Sequence, residues 1–317
     1  MNQDMNGWIP YRMRFLEGEW LVNWLDLDNH HINEPFFDET IDRCRIKMSG
    51  RSRFKTASNL QFLLAAAPLN SIPPTAFIFH VSRCGSTLLS QALASEKQNI
   101  VIAEAPILDE ILRAQEHDKF IGEAEVKEIF MSAVAFMGQI RNPFYKHYFI
   151  KLDSWHLHFY HQLRSWYPDT PFYFLSREPE AIISSHQKRR GLQSIPGMID
   201  PRVFKINLSD AHFADFNSYT AEVLAGYYNL LSTYIDLQER KNHFYDYAWG
   251  VEGLLQHFHH TVGIAFEKSD PMNNRLAFHS KYPDQPFTGD QATNQKTFYP
   301  VAQEAYQQFY NKLKQHG

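Results

Sequence analysis

A short polar loop between a predicted buried strand and a predicted helix is the part of this chain best suited to chemistry. The stretch is residues 75–94, TAFIFHVSRCGSTLLSQALA, and the loop is residues 80–86. Such a loop gathers several backbone N–H groups and the positive end of a helix around one small volume. An anion with the size and charge of a phosphate group fits that environment. The spacing therefore predicts an anion-binding site.

The loop lacks the residues of two common phosphate-handling sites. The loop of ATP-using enzymes, GxxxxGK[ST], has a lysine for the β- and γ-phosphates and a hydroxyl for magnesium. Here Arg83 precedes Gly85, and no lysine follows in the turn. A cysteine phosphatase needs an arginine six positions after its nucleophile, and that position counted from Cys84 is Ser90. Magnesium-dependent phosphoryl transfer loses its main support, and cysteine phosphatase chemistry is excluded.

A second candidate anion site lies in residues 172–187, FYFLSREPEAIISSHQ. Arg177 follows a predicted strand, Pro179 opens the next helix, and Ser185 comes eight residues after the arginine. The arginine offers a forked donor to a phosphate, and the serine adds a neutral donor beside the positive helix end. By itself, an Arg-Glu-Pro at a helix start also suits a capped helix with a surface ion pair. Two such motifs, each after a strand, favour the binding interpretation.

Together the two motifs resemble the phosphate-binding segments of sulfotransferases that use 3′-phosphoadenylyl sulfate (PAPS). The layout is most similar to the tyrosylprotein or Golgi-type branch and its bacterial relatives. The matching positions are Arg83, Gly85, Ser86 and Thr87 in the first motif and Arg177, Pro179 and Ser185 in the second. The resemblance covers about residues 72–315 and implies a P-loop NTPase-like, three-layer αβα fold. Its implied cofactor contacts are Arg83, Cys84, Gly85, Ser86, Thr87, Leu88, Arg177 and Ser185.

Candidate catalytic residues follow from the same resemblance. Glu104 comes after the second predicted strand of the sheet, and Lys151 lies at the end of the third. Their places resemble those of the catalytic glutamate and lysine in the family. The implied roles are proton acceptance by Glu104 and charge stabilisation by Arg83 and Lys151. His156 is the alternative base, since other branches of the family use histidine.

Later segments of the chain are assigned by position. Ser280 and Lys281 lie where family members close a segment over the cofactor. The basic run at residues 186–190, HQKRR, is typical of a solvated helix end stabilised by the helix dipole, and the alternative is that it covers the nucleotide. Residues 191–216 and 269–296 lack periodicity and are predicted to be long loops.

The implied activity is transfer of a sulfuryl group from PAPS to a hydroxyl or amine of an unidentified acceptor, leaving adenosine 3′,5′-bisphosphate (PAP). The acceptor could be a small molecule, a carbohydrate or a peptide, and no metal is required. Two alternatives stay open: a small-molecule kinase on a degenerate P-loop, and a non-catalytic nucleotide-binding or interaction protein. The histidines and acids of residues 30–38 suit a turn better than a metal site, because no second ligand set occurs at a defined spacing.

The elements that must position these residues follow from periodicity. From residue 70 on, short β-rich runs alternate with helical segments, which predicts an α/β fold with a parallel sheet covered by helices on both faces. The predicted strands are residues 75–80, 100–103, 147–152, 172–176 and 243–247. Ligands of such sheets bind beyond the carboxyl ends of the strands, where both anion motifs fall. Residues 1–70 are predicted to be an accessory segment of strands and turns, and residues 71–317 the α/β domain.

Composition narrows the expected partner and compartment. The 317 residues carry a formal net charge of −4, which argues against nucleic-acid binding because such domains usually have a basic excess. Cys44 and Cys84 form no disulfide framework, so a reducing, cytoplasmic location is expected. The most apolar stretch, residues 60–79, is interrupted by prolines, so no membrane span is predicted. The composition leaves oligomer formation open.

Overall fold

The computed structural model describes residues 5–49, 56–68, 70–266, 269, 271–272, 275, 278–279, 282–286 and 298–316. In the N-terminal part, β1 (Trp8–Leu16), β2 (Glu19–Asp26) and β3 (Ala57–Asn59) form an antiparallel sheet in that order. Two helices, α1 (Phe37–Ser49) and α2 (Leu60–Ala65), belong to the same part of the chain. Strands are present there as predicted, whereas the two helices are not predicted.

Helix α1 occupies residues that the sequence analysis interprets as turns and a basic stretch. Phe37, Ile41 and Cys44 are buried, and their spacing is that of one helix face. The first turn contains acidic residues and the last turn contains Lys47, which stabilises a helix through its dipole. The basic residues therefore occupy the outer face of an amphipathic helix.

A five-stranded parallel sheet organises the rest of the chain. Its strands are β4 (Ala76–His80), β5 (Asn99–Ala103), β6 (His147–Lys151), β7 (Phe172–Ser176) and β8 (Asn242–Asp246), in the order β5-β6-β4-β7-β8. Every residue of β4, β5 and β7 is buried, which explains their nearly continuous apolar sequences. At the carboxyl ends, Ala103 lies opposite Lys151 and Ser176 lies opposite Asp246. The predicted strands are confirmed to within one residue at each end.

Helices flank the sheet, and the predicted α/β class is confirmed. They are α3 (Ser86–Ala94), α4 (Pro106–Leu112), α5 (Glu123–Met137), α6 (Tyr160–Trp166), α7 (Pro179–Lys188), α8 (Pro201–Phe204), α9 (Asp210–Ala214), α10 (Phe216–Asp236), α11 (Val251–Thr261) and the C-terminal helix (Pro300–His316). The predicted loop at residues 191–216 contains two of these, α8 and α9. Short strands β9 (Phe278–His279) and β10 (Tyr282–Pro286) lie within the predicted loop at 269–296.

The chain divides into two compact units. Unit one comprises residues 1–77, 90–152 and 268–286, and unit two comprises residues 78–89, 153–267 and 287–317. The predicted domain boundary near residue 70 stays a prediction. Across the stretches that the structure describes, no helix has both the length and the apolar composition to span a bilayer.

Candidate functional site

The loop after β4 has an unusual backbone. Ser82, Arg83 and Gly85 all have positive φ angles, of 75°, 49° and 86°. Non-glycine residues adopt such angles only where neighbouring structure holds them. One such contact is the Val81 N–H, which donates to the Leu175 carbonyl of β7 at 3.1 Å. The loop is therefore held in a tight turn directly before α3.

Gly85 is the loop position at which a side chain would not fit. A Cβ atom there would lie 3.0 Å from the ring of Tyr247, and its φ of 86° already disfavours other residues. The neighbouring side chains of Cys84, Ser86 and Thr87 are buried. The Cys84 thiol thus packs in the interior of unit two, which leaves the main chain of Cys84 as its means of binding a ligand.

The two predicted phosphate motifs touch each other within unit two. The Arg177 guanidinium donates to the main-chain carbonyl of Arg83 at 3.1 Å, and its carbon lies 4.5 Å from the centroid of the Tyr247 ring. Tyr228 donates its hydroxyl to the Arg177 carbonyl at 2.6 Å. Arg83 in turn donates to the Arg189 carbonyl at 2.5 Å. These contacts bring two cationic side chains to one side of the anion loop.

Helix α7 contacts the loop through a residue that the sequence analysis treats as part of a solvated basic run. His186 is buried, and its Nε2 lies 3.1 Å from the Ser82 hydroxyl. The Gln193 amide donates to the same hydroxyl at 2.7 Å. Burial lowers the pKa of His186 to about 3, and the nearby Arg83 and Arg190 lower it as well. Ser185, the predicted phosphate ligand, is half-buried one residue before this histidine.

The sequence contains a signal for that burial. Ile182 and His186 are four residues apart on α7, and both are buried. Four-residue spacing places two side chains on one helix face. Lys188 and Arg189 are exposed, whereas His186 is buried and is not part of a solvated face.

Glu104 and Lys151 form an ion pair in unit one. Their Oε1 and Nζ atoms are 2.5 Å apart, and the Lys151 side chain is fully buried while 20% of the Glu104 side chain is exposed. The Glu104 N–H donates to the Lys151 carbonyl at 2.8 Å, and Glu104 has a positive φ of 58°. The ammonium also lies 5.4 Å from the ring centroid of Phe36. An adjacent ammonium favours the charged carboxylate, the form that accepts a proton.

His156, the alternative base, has a helix-capping role. Its Nδ1 accepts the Asp153 N–H at 3.2 Å, while the Asp153 side chain accepts from the His156 backbone. The ring is completely buried and packs edge-on against Trp155 and Phe159. These contacts give His156 a structural role at the start of this turn of helix.

A buried carboxylate at the end of β8 supports the segment that carries Tyr247. Asp246 is fully buried and accepts from the Ser176 hydroxyl at 2.6 Å, the Tyr306 hydroxyl at 3.2 Å and the Ala248 N–H at 2.9 Å. The network connects two strand ends with the C-terminal helix. The sequence analysis assigns no role to Asp246 or Tyr247, because their contacts depend on the tertiary structure.

Two further features are the predicted closing segment of the sequence and a cleft in unit two. Ser280 and Lys281 are outside the described residues. Unit two also contains a cleft with a volume of about 380 Å³. It is lined by Tyr234, Ile235, Gln238, Glu239, Asn242, His243, Phe244, Trp249, His257 and Leu313. None of the predicted site residues contributes to this lining.

Comparisons with known proteins give matches among solved structures only. No protein-family model matches the chain, and no curated protein matches it. Among solved structures, the crystal structure of sulfotransferase STF1 from Mycobacterium tuberculosis H37Rv is 9% identical, with a TM-score of 0.39. The match covers 67% of this chain and 72% of that chain. A similarity of this size does not identify the activity of this chain.

Proposed function

We propose that the protein is a PAPS-dependent sulfotransferase that acts on a hydroxyl or amine acceptor. The observation that carries the proposal is the contact between the two anion motifs, in which Arg177 donates to the Arg83 carbonyl at 3.1 Å. The motifs follow β4 and β7, which are neighbours in the sheet. A ligand with two separate phosphate groups matches two adjoining anion motifs better than a single phosphate does.

The residues of unit two fit such a nucleotide. At Gly85 a Cβ atom would lie 3.0 Å from the Tyr247 ring, and the φ of 86° favours glycine at this position of the turn. Helix α3 starts directly after this glycine, and the first N–H groups of a helix lack partners within the helix. The turn contains Arg83 and no lysine, so the features of a magnesium–ATP loop are missing.

Each predicted ligand has a proposed task. The N–H groups of residues 85–87, with the Ser86 and Thr87 hydroxyls, hold the 5′-phosphate. Arg83 stabilises negative charge on the leaving phosphate and on the transferred group. Arg177 binds the 3′-phosphate through its guanidinium fork, and Ser185 adds a hydroxyl donor. The ring of Tyr247 supports Arg177 from one side.

The chemistry assigned to the protein is positioning, electrostatic stabilisation and one proton transfer. PAPS, when bound, supplies a sulfuryl group activated by its bond to phosphate. Glu104 accepts the proton of the acceptor hydroxyl or amine, and the Lys151 ammonium keeps Glu104 ionised beforehand. The proposed role of Lys151 is to pair with this carboxylate within unit one. Fixed donors aimed at developing charge supply most of the rate gain in reactions of this kind.

Thermal stabilisation by nucleotides tests the proposal. PAP should raise the melting temperature more than ADP or ATP with magnesium, because only PAP has a phosphate for each motif. Arg177→Ala should reduce the shift caused by PAP and have less effect on any shift caused by ADP. Preferential stabilisation by ATP with magnesium would overturn the proposal in favour of a kinase. Absence of stabilisation by all three nucleotides would overturn it in favour of an interaction protein.

A further inference from the structure

We propose that Ser82 is a further anion ligand, whose hydroxyl proton is donated to the anion bound in the loop. His186 and Gln193 are positioning residues that hold the hydroxyl in the donor orientation. The phosphate motif of the loop begins at Arg83, so Ser82 is not part of it. The identity of the anion as a PAPS phosphate rests on the proposed function, whereas the presence of an anion ligand at Ser82 does not.

The direction of the hydrogen bond between His186 and Ser82 follows from the other ring nitrogen. The Gly191 N–H donates to His186 Nδ1 at 3.1 Å, and a backbone N–H can only donate. Nδ1 must therefore be unprotonated. A neutral imidazole then carries its proton on Nε2, the atom that lies 3.1 Å from the Ser82 oxygen. His186 is therefore the donor in this contact and Ser82 is the acceptor.

The environment of His186 favours the neutral ring. The side chain is 1% exposed, and burial together with Arg83 and Arg190 lowers its pKa to about 3. A second proton on the ring would also face the Gly191 N–H, which needs an acceptor. The donor assignment at Nε2 thus holds at neutral pH.

The Ser82 oxygen accepts from two groups, which leaves its proton for a third. A serine hydroxyl has two acceptor positions and one proton. Both acceptor positions are filled, by His186 Nε2 and by the Gln193 amide at 2.7 Å. Ser82 is only 6% exposed, and the part of the chain that the structure describes offers no acceptor for its proton. A buried donor without an acceptor is costly, and a bound anion would satisfy it.

The position of Ser82 in the loop supports an anion as that acceptor. It immediately precedes Arg83 and shares the left-handed backbone of the turn, with φ of 75°. Its N–H donates to His80 Nδ1 at 3.0 Å, which fixes the residue from the strand side. His186 lies next to Ser185 on α7, so one helix carries both the predicted phosphate ligand Ser185 and the residue that holds Ser82.

Anion binding by two serine variants tests the role of Ser82. Ser82→Ala should weaken binding of inorganic pyrophosphate and of PAP by about tenfold or more in calorimetric titration, since a hydrogen bond to a charged group contributes about 1.5–3 kcal/mol. The matched control is Ser194→Ala, which removes a buried hydroxyl that donates to the Gly191 carbonyl at 2.8 Å. It should change both affinities less than about threefold. Equal affinities of Ser82→Ala and wild type for pyrophosphate would overturn the inference.

The proposed function can be wrong while the inference about Ser82 is right, and the titrations distinguish the two cases. If the wild type binds pyrophosphate but does not distinguish PAP from ADP, the sulfotransferase proposal is wrong. The pyrophosphate affinities of wild type and Ser82→Ala then still decide whether Ser82 is an anion ligand. If the wild type binds neither anion, both are wrong.

Nitrogen NMR of the ¹⁵N-labelled wild-type protein tests the His186 tautomer on which the donor role of Ser82 depends. His186, assigned by loss of its signals in His186→Asn, should show an unprotonated Nδ1 and a protonated Nε2 between pH 5 and 8. A proton on Nδ1 would overturn the inference, because Ser82 would then donate to His186 and have no proton for an anion.

Discussion

The Arg177 guanidinium donates to the Arg83 carbonyl at 3.1 Å, and its central carbon lies 4.5 Å from the Tyr247 ring centroid. The side chain thereby connects the two anion motifs while it stacks on an aromatic face. Lysine has the charge but neither the planar fork nor the stacking surface. The identity of residue 177 as arginine thus matters beyond its charge.

Replacing this arginine by lysine should weaken nucleotide binding. Arg177→Lys should lower the affinity for PAP by about tenfold, because the bidentate contact and the stack on Tyr247 are both lost. Calorimetric titration measures the change. Arg202→Lys is the control, since that side chain is 75% exposed and pairs with Asp200. An equal loss in the two variants would contradict a specific role for Arg177.

Gly85→Ala should destabilise the fold and disrupt the anion loop. Its Cβ would lie 3.0 Å from the Tyr247 ring at a φ of 86°. Gly18 has φ of 84°, and a Cβ added there would have nothing within 4 Å, so Gly18→Ala isolates the backbone cost of about 1 kcal/mol. Urea unfolding should show an additional loss of about 1–3 kcal/mol in Gly85→Ala. Similar losses in both variants would mean that Tyr247 simply moves aside.

Asp246→Asn should lower the free energy of unfolding by about 1–3 kcal/mol. The asparagine has an NH₂ group in place of one carboxylate oxygen, so a buried donor would lose its acceptor and face another donor. The affected partners are the hydroxyls of Ser176 and Tyr306 and the Ala248 N–H. Tyr306→Phe removes one donor only and should cost about 1 kcal/mol. Denaturant titration of both variants measures the ranking. A larger loss in Tyr306→Phe than in Asp246→Asn would contradict the proposed network.

Glu34 should make stability depend on acid pH. Burial alone would raise the pKa of this carboxyl, but hydrogen bonds from His30 and Thr40 outweigh it and lower the pKa from 4.5 to about 2. The unfolded chain therefore binds the proton more readily. The stabilisation is complete above about pH 4.5 and is lost as the pH falls toward 2.

Comparison of wild type with Glu34→Gln measures this contribution. The difference in unfolding free energy should grow from pH 2 to pH 5 by an amount on the order of 3 kcal/mol, since one pKa unit corresponds to about 1.4 kcal/mol. Glu19, an exposed acid at the start of β2, supplies the control variant Glu19→Gln. Parallel pH profiles for wild type and Glu34→Gln would show that the carboxyl is not perturbed.

Glu104→Gln should reduce sulfuryl transfer from PAPS by about a hundredfold or more if Glu104 is the general base. It should also destabilise the protein by about 1–3 kcal/mol, because the buried Lys151 ammonium loses its carboxylate partner.

A double variant separates these two effects. Glu104→Gln combined with Lys151→Met removes both charges and should recover stability, while turnover stays low. Stability is measured by urea unfolding and turnover with radiolabelled PAPS and a panel of hydroxyl and amine acceptors. Recovery of turnover together with stability would show that Glu104 has a structural role only.

Much of the fold could be predicted because its signals are local. Strands β4, β5 and β7 are fully buried and nearly continuous apolar runs, which is the local signal that places them. Prolines at the first turn mark the starts of α4 and α7. Helix α1 escapes prediction because its basic residues obscure the buried stripe of Phe37, Ile41 and Cys44.

The candidate site also has a part that the sequence predicts and a part that it does not. A strand, a glycine turn and a helix start lie close together in the chain, so the sequence by itself determined the positions of the candidate anion loops. The partners of those loops were decided only by the tertiary structure. Ser82 and His186 are separated by 104 residues, and Lys151 and Glu104 by 47. Such pairs depend on strand order and on which helix face is buried, and neither property is encoded in the local periodicity of either segment.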